Sequence, residues 1–196
     1  PIMINAGTKV PQLASCVLHY NDSDSREGLL NTMRDISTYS SDAAGIGLSM
    51  SNIRSKESRI TSSGGYAGGL LKYLKIVNES LRFFNQQGRR PGSAAIYLEP
   101  WHKDIFDLLD IKKNTGKDEL RARDLFTALW IPDNFMNAVK ENDDWYLFCP
   151  NDIIKAGIKP LQESYGDEYE QNYAKAVNLG LGKKVKALDV WNRIVE

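Results

Sequence analysis

The sequence predicts an α/β protein built on a parallel sheet, and three observations carry that expectation. Short runs of apolar and β-branched residues recur along the chain, each bounded by Gly, Pro or Asn/Asp/Ser clusters. Amphipathic helical stretches separate them, which is the order of crossover units and not of hairpins. About five strands are legible, few for a closed barrel. Half a barrel would explain a chain that begins at Pro1 and stops in helical sequence at Val195-Glu196.

Taken in order, residues 1–11 read as a loop punctuated by Gly7 and Pro11, and 12–19 as a first strand with Cys16 near its middle. Residues 21–25 are turn and N-cap types, and Asp24 with Glu27 three positions later predicts a capping-box start to a helix. That helix carries Leu29, Leu30, Met33, Ile36 and Tyr39 on one stripe. Residues 43–50 read as an apolar strand whose Gly45 and Gly47 mark close approach of a backbone or ligand. The segment with Arg54, Lys56 and Arg59 leads into a glycine-rich stretch at 62–69, expected as a flexible loop. A long helix follows over 70–86, with Leu70, Leu74, Val77 or Ile76, Leu81 and Phe84 inward. Residues 93–98 predict a buried strand, 103–111 a short helix, 126–131 a strand ended by Pro132, and 133–139 a helix. A strand at 145–149 stops at Pro150, and the remainder reads as helical.

The stretch from Asn85 to Trp101 changes character twice. Gly88 supplies the positive φ that a helix end commonly needs. Arg89 and Arg90 project from a loop stiffened by Pro91 before the chain enters a buried strand. Two readings stand side by side: an anion-recognition loop, or a surface turn with solvated arginines.

Composition excludes several classes. With 25 basic and 25 acidic residues the formal net charge is +0, so no global field draws nucleic acid or an anionic membrane. No apolar run approaches the ~20 residues that span a bilayer, and no signal peptide is visible. The 2 cysteines, Cys16 and Cys149, form neither a disulfide framework nor zinc spacing. A cytoplasmic protein without membrane, nucleic-acid or metal partners is expected. His19 and His102 stand alone and read as structural, and Cys149 as core. Cys16 is either an inert buried thiol or a reactive one lacking an obvious base. Asp24 sits where a helix start can hold a hydroxyl or an anion. The residues by themselves reach an α/β domain with an anion- or nucleotide-like site near 85–92.

The same residues resemble the large, catalytic subunit of class I ribonucleotide reductase, eukaryotic type. The matching stretches are PIMINAGT (1–8), QLASCVL (12–18), AGIGLSMSNIR (44–54), GRRPGSAAIYLEPWHKDIFDLLDIKKNTGKDELRARDLFTALWIPDNFM (88–136) and LFCPND (147–152). The resemblance implies roughly the first half of a ten-stranded α/β barrel. It implies that Cys16 reduces the ribose 2′ position of a ribonucleoside diphosphate and then forms a disulfide with a cysteine further along the subunit. Ser15 and Gly45 would contact substrate. Asp24, Ser25 and Arg26 would hold the ribose of an allosteric deoxynucleotide or ATP, Arg54 its phosphates, and Thr61 and Ser62 its flexible first loop. Gln86 and Arg90 would read the substrate base from a second, specificity loop.

Departures fall on effector positions. Arg26 stands where a smaller apolar residue is familiar, Ser41 where a lysine is, and Asn85 where an aspartate is, and the second loop is one residue shorter. The family's Asn-x-Cys-x-Glu motif, with its radical cysteine and general-base glutamate, does not occur in this sequence. The resemblance implies further partners: the remaining half of the subunit, a small metal-containing subunit that generates the radical, thioredoxin or glutaredoxin, and a second copy in a homodimer. No cofactor is expected in this chain, and the chain alone is expected to be inactive. The alternative is a non-catalytic effector-binding or dimerisation module.

Overall fold

A computed structural model describes residues 2–85 and 91–196. In chain order the elements are α1 (Ile2–Asn5), β1 (Cys16–Tyr20), α2 (Arg26–Ser41), β2 (Gly45–Ser49), α3 (Leu70–Phe83), β3 (Ala94–Leu98), α4 (Ile105–Leu109), β4 (Phe126–Leu129), α5 (Asp133–Glu141), β5 (Asp144–Leu147), α6 (Pro150–Lys155), α7 (Gly166–Asn178), β6 (Lys183–Lys186) and α8 (Ala187–Val195). The chain divides into two compact units. The first comprises Pro1–Met50, Lys72–Tyr97 and Ile111–Ala128; the second comprises Ser51–Leu71, Leu98–Asp110 and Leu129–Glu196.

The first unit holds the main sheet, of order β1-β2-β3-β4. β1 pairs parallel with β2, and β2 parallel with β3, so the expected parallel α/β arrangement is present. Ile46, Leu48, Ala94 and Ile96 are buried along one face of the sheet, alternating with less buried residues on the other. The sheet is open at β1, whose Leu18 is 86% exposed, and no closed barrel is formed among the described residues.

Helix α2 starts one residue later than the capping-box reading places it. Ser25, not Asp24, is the N-cap, and its Oγ accepts the Gly28 N–H at 3.0 Å. The buried face also differs from the expected apolar stripe. Gly28, Thr32, Ile36, Ser37 and Ser40 face inward, while Leu30 is 63% exposed. Small residues let neighbouring backbone approach closely: Ser37 Oγ meets Ser80 Oγ at 2.9 Å, and a Cβ on Gly92 would lie 2.5 Å from Ser40 Oγ. The hydroxyls are satisfied locally, Thr32 Oγ1 donating to Asn21 Oδ1 at 2.9 Å and Ser37 Oγ to Met33 O at 2.7 Å. Hydrophobicity alone therefore misassigns the inward face.

Helix α3 follows its expected stripe through Leu70, Leu74, Val77 and Leu81, all buried, and leaves Ile76 58% exposed. It ends at Phe83, short of the expected 86, so Phe84 is off the helix and 43% exposed.

The second unit differs most from expectation. β5 is not a fifth strand of the parallel sheet; it pairs antiparallel with β6 in a separate two-stranded ribbon. β6, Lys-Lys-Val-Lys, carries one apolar residue and gives no strand signal by itself. Pairing supplies the reason for it: Asp144 opposes Lys186 in register, and its carboxylate meets Lys186 Nζ at 3.0 Å and also reaches Lys184 Nζ. The ribbon's other side brings Trp145 and Leu147 into the core. There Trp145 stacks on Tyr173 with centroids 4.7 Å apart and meets Phe135 edge-on at 5.0 Å, while its Nε1–H donates to Pro100 O at 3.1 Å. This aromatic cluster lies in the unit's buried apolar core. Cys149 lies in the same core at 2% exposure, as expected.

Candidate functional site

Cys16 is not a buried thiol in mid-strand. It is the first residue of β1 and is exposed, because β1 starts four residues later than its sequence suggests. Parallel pairing sets Cys16 in register with Gly45 at the start of β2. Ser15 joins them, its carbonyl accepting the Gly45 N–H at 2.8 Å. Three residues from two separate stretches of sequence thus share one end of the sheet, with a thiol open to solvent. Gly47, two residues along β2, is covered by Leu18: a Cβ there would lie 2.7 Å from Leu18 Cδ2.

Asp24, Ser25 and Arg26 stand at the start of α2, where Ser25 Oγ also lies 2.8 Å from Ser23 Oγ. Arg26 extends into solvent and pairs with Glu27 at 3.9 Å. Ser41 closes the same helix.

Arg54, Thr61 and Ser62 belong to the second unit. Arg54 is half-buried; Thr61 and Ser62 are exposed at the tip of an excursion from 56 to 70. That excursion is a small hairpin and not an open loop. Arg59 bridges Tyr66 antiparallel, Ile60 N–H donates to Gly65 O at 2.8 Å, Ala67 N–H to Ser58 O at 2.8 Å and Glu57 N–H to Ala67 O at 3.1 Å. The remaining specificity-loop residues, Gln86 and Arg90, lie outside the described residues, as do Gly88 and Arg89.

Behind the hairpin sits a buried polar chain that sequence reasoning passed over. His102, fully buried, donates its Nε2–H to Ile53 O at 2.8 Å and accepts the Asp104 N–H on Nδ1 at 3.1 Å. Those partners fix one neutral tautomer, and burial pushes the imidazole pKa below its ordinary value. The Asp104 carboxylate, 5% exposed, accepts the Lys56 N–H at 3.0 Å and the Leu70 N–H at 2.9 Å. The available signal was chemical: His102 and Asp104 lie between Trp101 and Ile105, large apolar residues of a core segment, and polar groups buried there need dedicated partners.

The same unit contains a cavity of about 200 Å³ lined by Glu99, Trp101, Trp130, Asn134, Tyr165 and Tyr169, among others. Burial pushes the Glu99 carboxyl up to about 7, offset in part by the Trp101 indole, which stays outside hydrogen-bonding geometry. Burial likewise raises the Tyr169 hydroxyl. Among the described residues no group of three or more His, Cys, Asp or Glu is placed to hold a metal ion, and no helix is long and apolar enough to cross a membrane.

Comparison with known proteins identifies the family. Residues 14–196 match the family described as ribonucleotide reductase, barrel domain. The ribonucleoside-diphosphate reductase large subunit of Danio rerio is 48% identical over 100% of this chain, which covers 24% of that protein. The large subunit of Plasmodium falciparum (isolate FCR-3 / Gambia) is 44% identical with the same coverage. Large chain 2 of Saccharomyces cerevisiae is 43% identical over 100% of this chain and 22% of its own length. The chain spans about a quarter of the length of these curated relatives. With a family match running through almost all of its residues, this chain belongs to the ribonucleotide reductase barrel-domain family.

Proposed function

We propose that this chain is part of the large subunit of a ribonucleoside-diphosphate reductase and carries one of its two reducing thiols. The observation that supports this reading best is the exposed Cys16 thiol in register with Gly45 beside Ser15. A thiol there can approach the ribose of a ribonucleoside diphosphate, while a glycine backbone leaves room for the sugar. Replacing a 2′-hydroxyl by hydrogen consumes two thiols: the oxygen leaves as water and the sulfurs end as a disulfide. Cys16 supplies one thiol, and the second belongs to a cysteine outside this sequence.

A reducing, cytoplasmic setting with thioredoxin or glutaredoxin suits such a thiol. The radical that begins the reaction would come from a separate metal-containing small subunit. Asp24, Ser25 and Arg26, with Arg54, Thr61 and Ser62, serve an ATP or deoxynucleotide effector. A guanidinium matches phosphate geometry, and a helix start favours bound oxygen atoms. Gln86 and Arg90 couple that effector to the choice of substrate base. The position of this sequence in the barrel corresponds to its first half.

The second reading, an effector-binding and dimerisation module, draws on the apolar surface of α2 and α3, where Leu30, Ile76 and Phe83 are 63%, 58% and 80% exposed. Calorimetric titration with dTTP and with dATP, alongside a measurement of molecular mass, separates the two. Nucleotide binding by a dimer supports the effector site; a monomer that binds neither nucleotide sinks it. The chain alone, given a ribonucleoside diphosphate and excess dithiol, is expected to form no deoxyribonucleotide.

A further inference from the structure

One buried carboxylate ties both stems of the hairpin that carries Thr61 and Ser62. Asp104 accepts the Lys56 N–H where the excursion leaves and the Leu70 N–H where it returns as the first residue of α3. Leu70 N–H is an orphan donor of a helix start, so Asp104 caps α3 from a distant stretch of sequence. The space around it is closed. Gly69 has φ +81, and a Cβ on it would lie 2.7 Å from Lys56 Cβ and 2.9 Å from Asp104 Oδ2. Asp104 is itself oriented through its own N–H on His102, whose other nitrogen holds Ile53 O next to Arg54. The hairpin's own backbone bonds join its two strands as far as Glu57 and Ala67, and the Asp104 carboxylate anchors the residues just beyond them, Lys56 and Leu70.

We propose that Asp104 is the positioning residue of the nucleotide loop: it touches no ligand, yet fixes the stems from which Arg54, Thr61 and Ser62 reach one. The proposal rests on the reading that these residues bind an effector. Charge-assisted hydrogen bonds to backbone N–H groups are short and directional, so two of them on one side chain hold two chain segments at a fixed separation. A freed hairpin would have to be re-ordered at each binding event, and that cost appears as lost affinity.

The test uses Asp104→Asn, which can accept at only one oxygen, and Gly69→Ala, which displaces the stems while leaving the carboxylate in place. Amide hydrogen exchange is followed at Glu57, Ile60, Gly64 and Ala67, and dTTP affinity by calorimetry, both at a temperature where far-UV circular dichroism equals that of wild type. Both variants are expected to exchange faster at these hairpin amides and to bind dTTP about tenfold more weakly, the equivalent of one lost hydrogen bond to a charged group. A residue with a merely structural role would lower the melting temperature and leave affinity below the transition unchanged. If Asp104→Asn does not fold, Gly69→Ala decides alone. Wild-type binding with unchanged affinity or unchanged hairpin exchange in the variants overturns the proposal alone. Failure of the wild-type chain to bind dTTP or dATP overturns the effector reading, and the role assigned to Asp104 falls with it.

Discussion

Raising the pH should destabilise this protein through Glu99. Burial lifts its carboxyl from the ordinary 4.5 to about 7, so the native state keeps a proton that the unfolded chain has already released. Below about pH 4.5 both states hold the proton and the group is neutral in the balance. Between about 4.5 and 7 only the native state holds it, and the native state loses ground as pH rises. Above about 7 both are ionised and the dependence flattens. At about 1.4 kcal/mol per pH unit the full displacement corresponds to about 3 kcal/mol of native stability lost across that window. Asp107, also raised by burial, acts in the same direction and must be separated from Glu99. Urea denaturation of wild type and Glu99→Gln, at intervals from pH 4.5 to pH 8, makes that separation. The variant carries no titrating group at this position, so it should gain on wild type by about 3 kcal/mol over the series. A difference that stays constant with pH would refute the argument, because Glu99 would then titrate alike in both states.

Two further outcomes follow from burial and close approach. A thiol reagent should label Cys16 at once in the native chain and Cys149 only in denaturant, since one is exposed and the other buried; Cys16→Ser should abolish the fast phase, and two fast thiols or none would contradict the structure. Gly92→Ala places a Cβ against Leu81 O and Ser40 Oγ and should cost roughly 1–3 kcal/mol, read as a lowered urea midpoint; an unchanged midpoint would show that β3 can move away from α2 and α3 freely.

Much of the fold was legible in sequence, and the misses have physical causes. The stripe of α3 was readable because large apolar residues fill one face. That of α2 was not, because Thr32 and Ser37 are polar by composition yet satisfied by hydrogen bonds to Asn21 and Met33, and Ser40 is buried where a small residue is needed against Gly92. β6 was invisible because Lys183-Lys-Val-Lys is a strand only when Asp144 and its neighbours offer a partner. β5 was seen as a strand, but its pairing partner was not, so it was assigned to the wrong sheet.

The candidate site divides the same way. By itself the sequence determined the order of β1 to β5 and of the helices between them, the inward faces of α3 and β3, the core placement of Cys149, and the motifs that mark the family. These rest on local periodicity and side-chain chemistry, which each segment carries within itself. Tertiary structure alone decided that Cys16 is an exposed neighbour of Gly45, that residues 56–70 form a hairpin, and that Asp104 holds both its stems. Strand register and long-range hydrogen bonds join segments far apart in the chain, and no local pattern encodes which distant backbone N–H a buried carboxylate will meet.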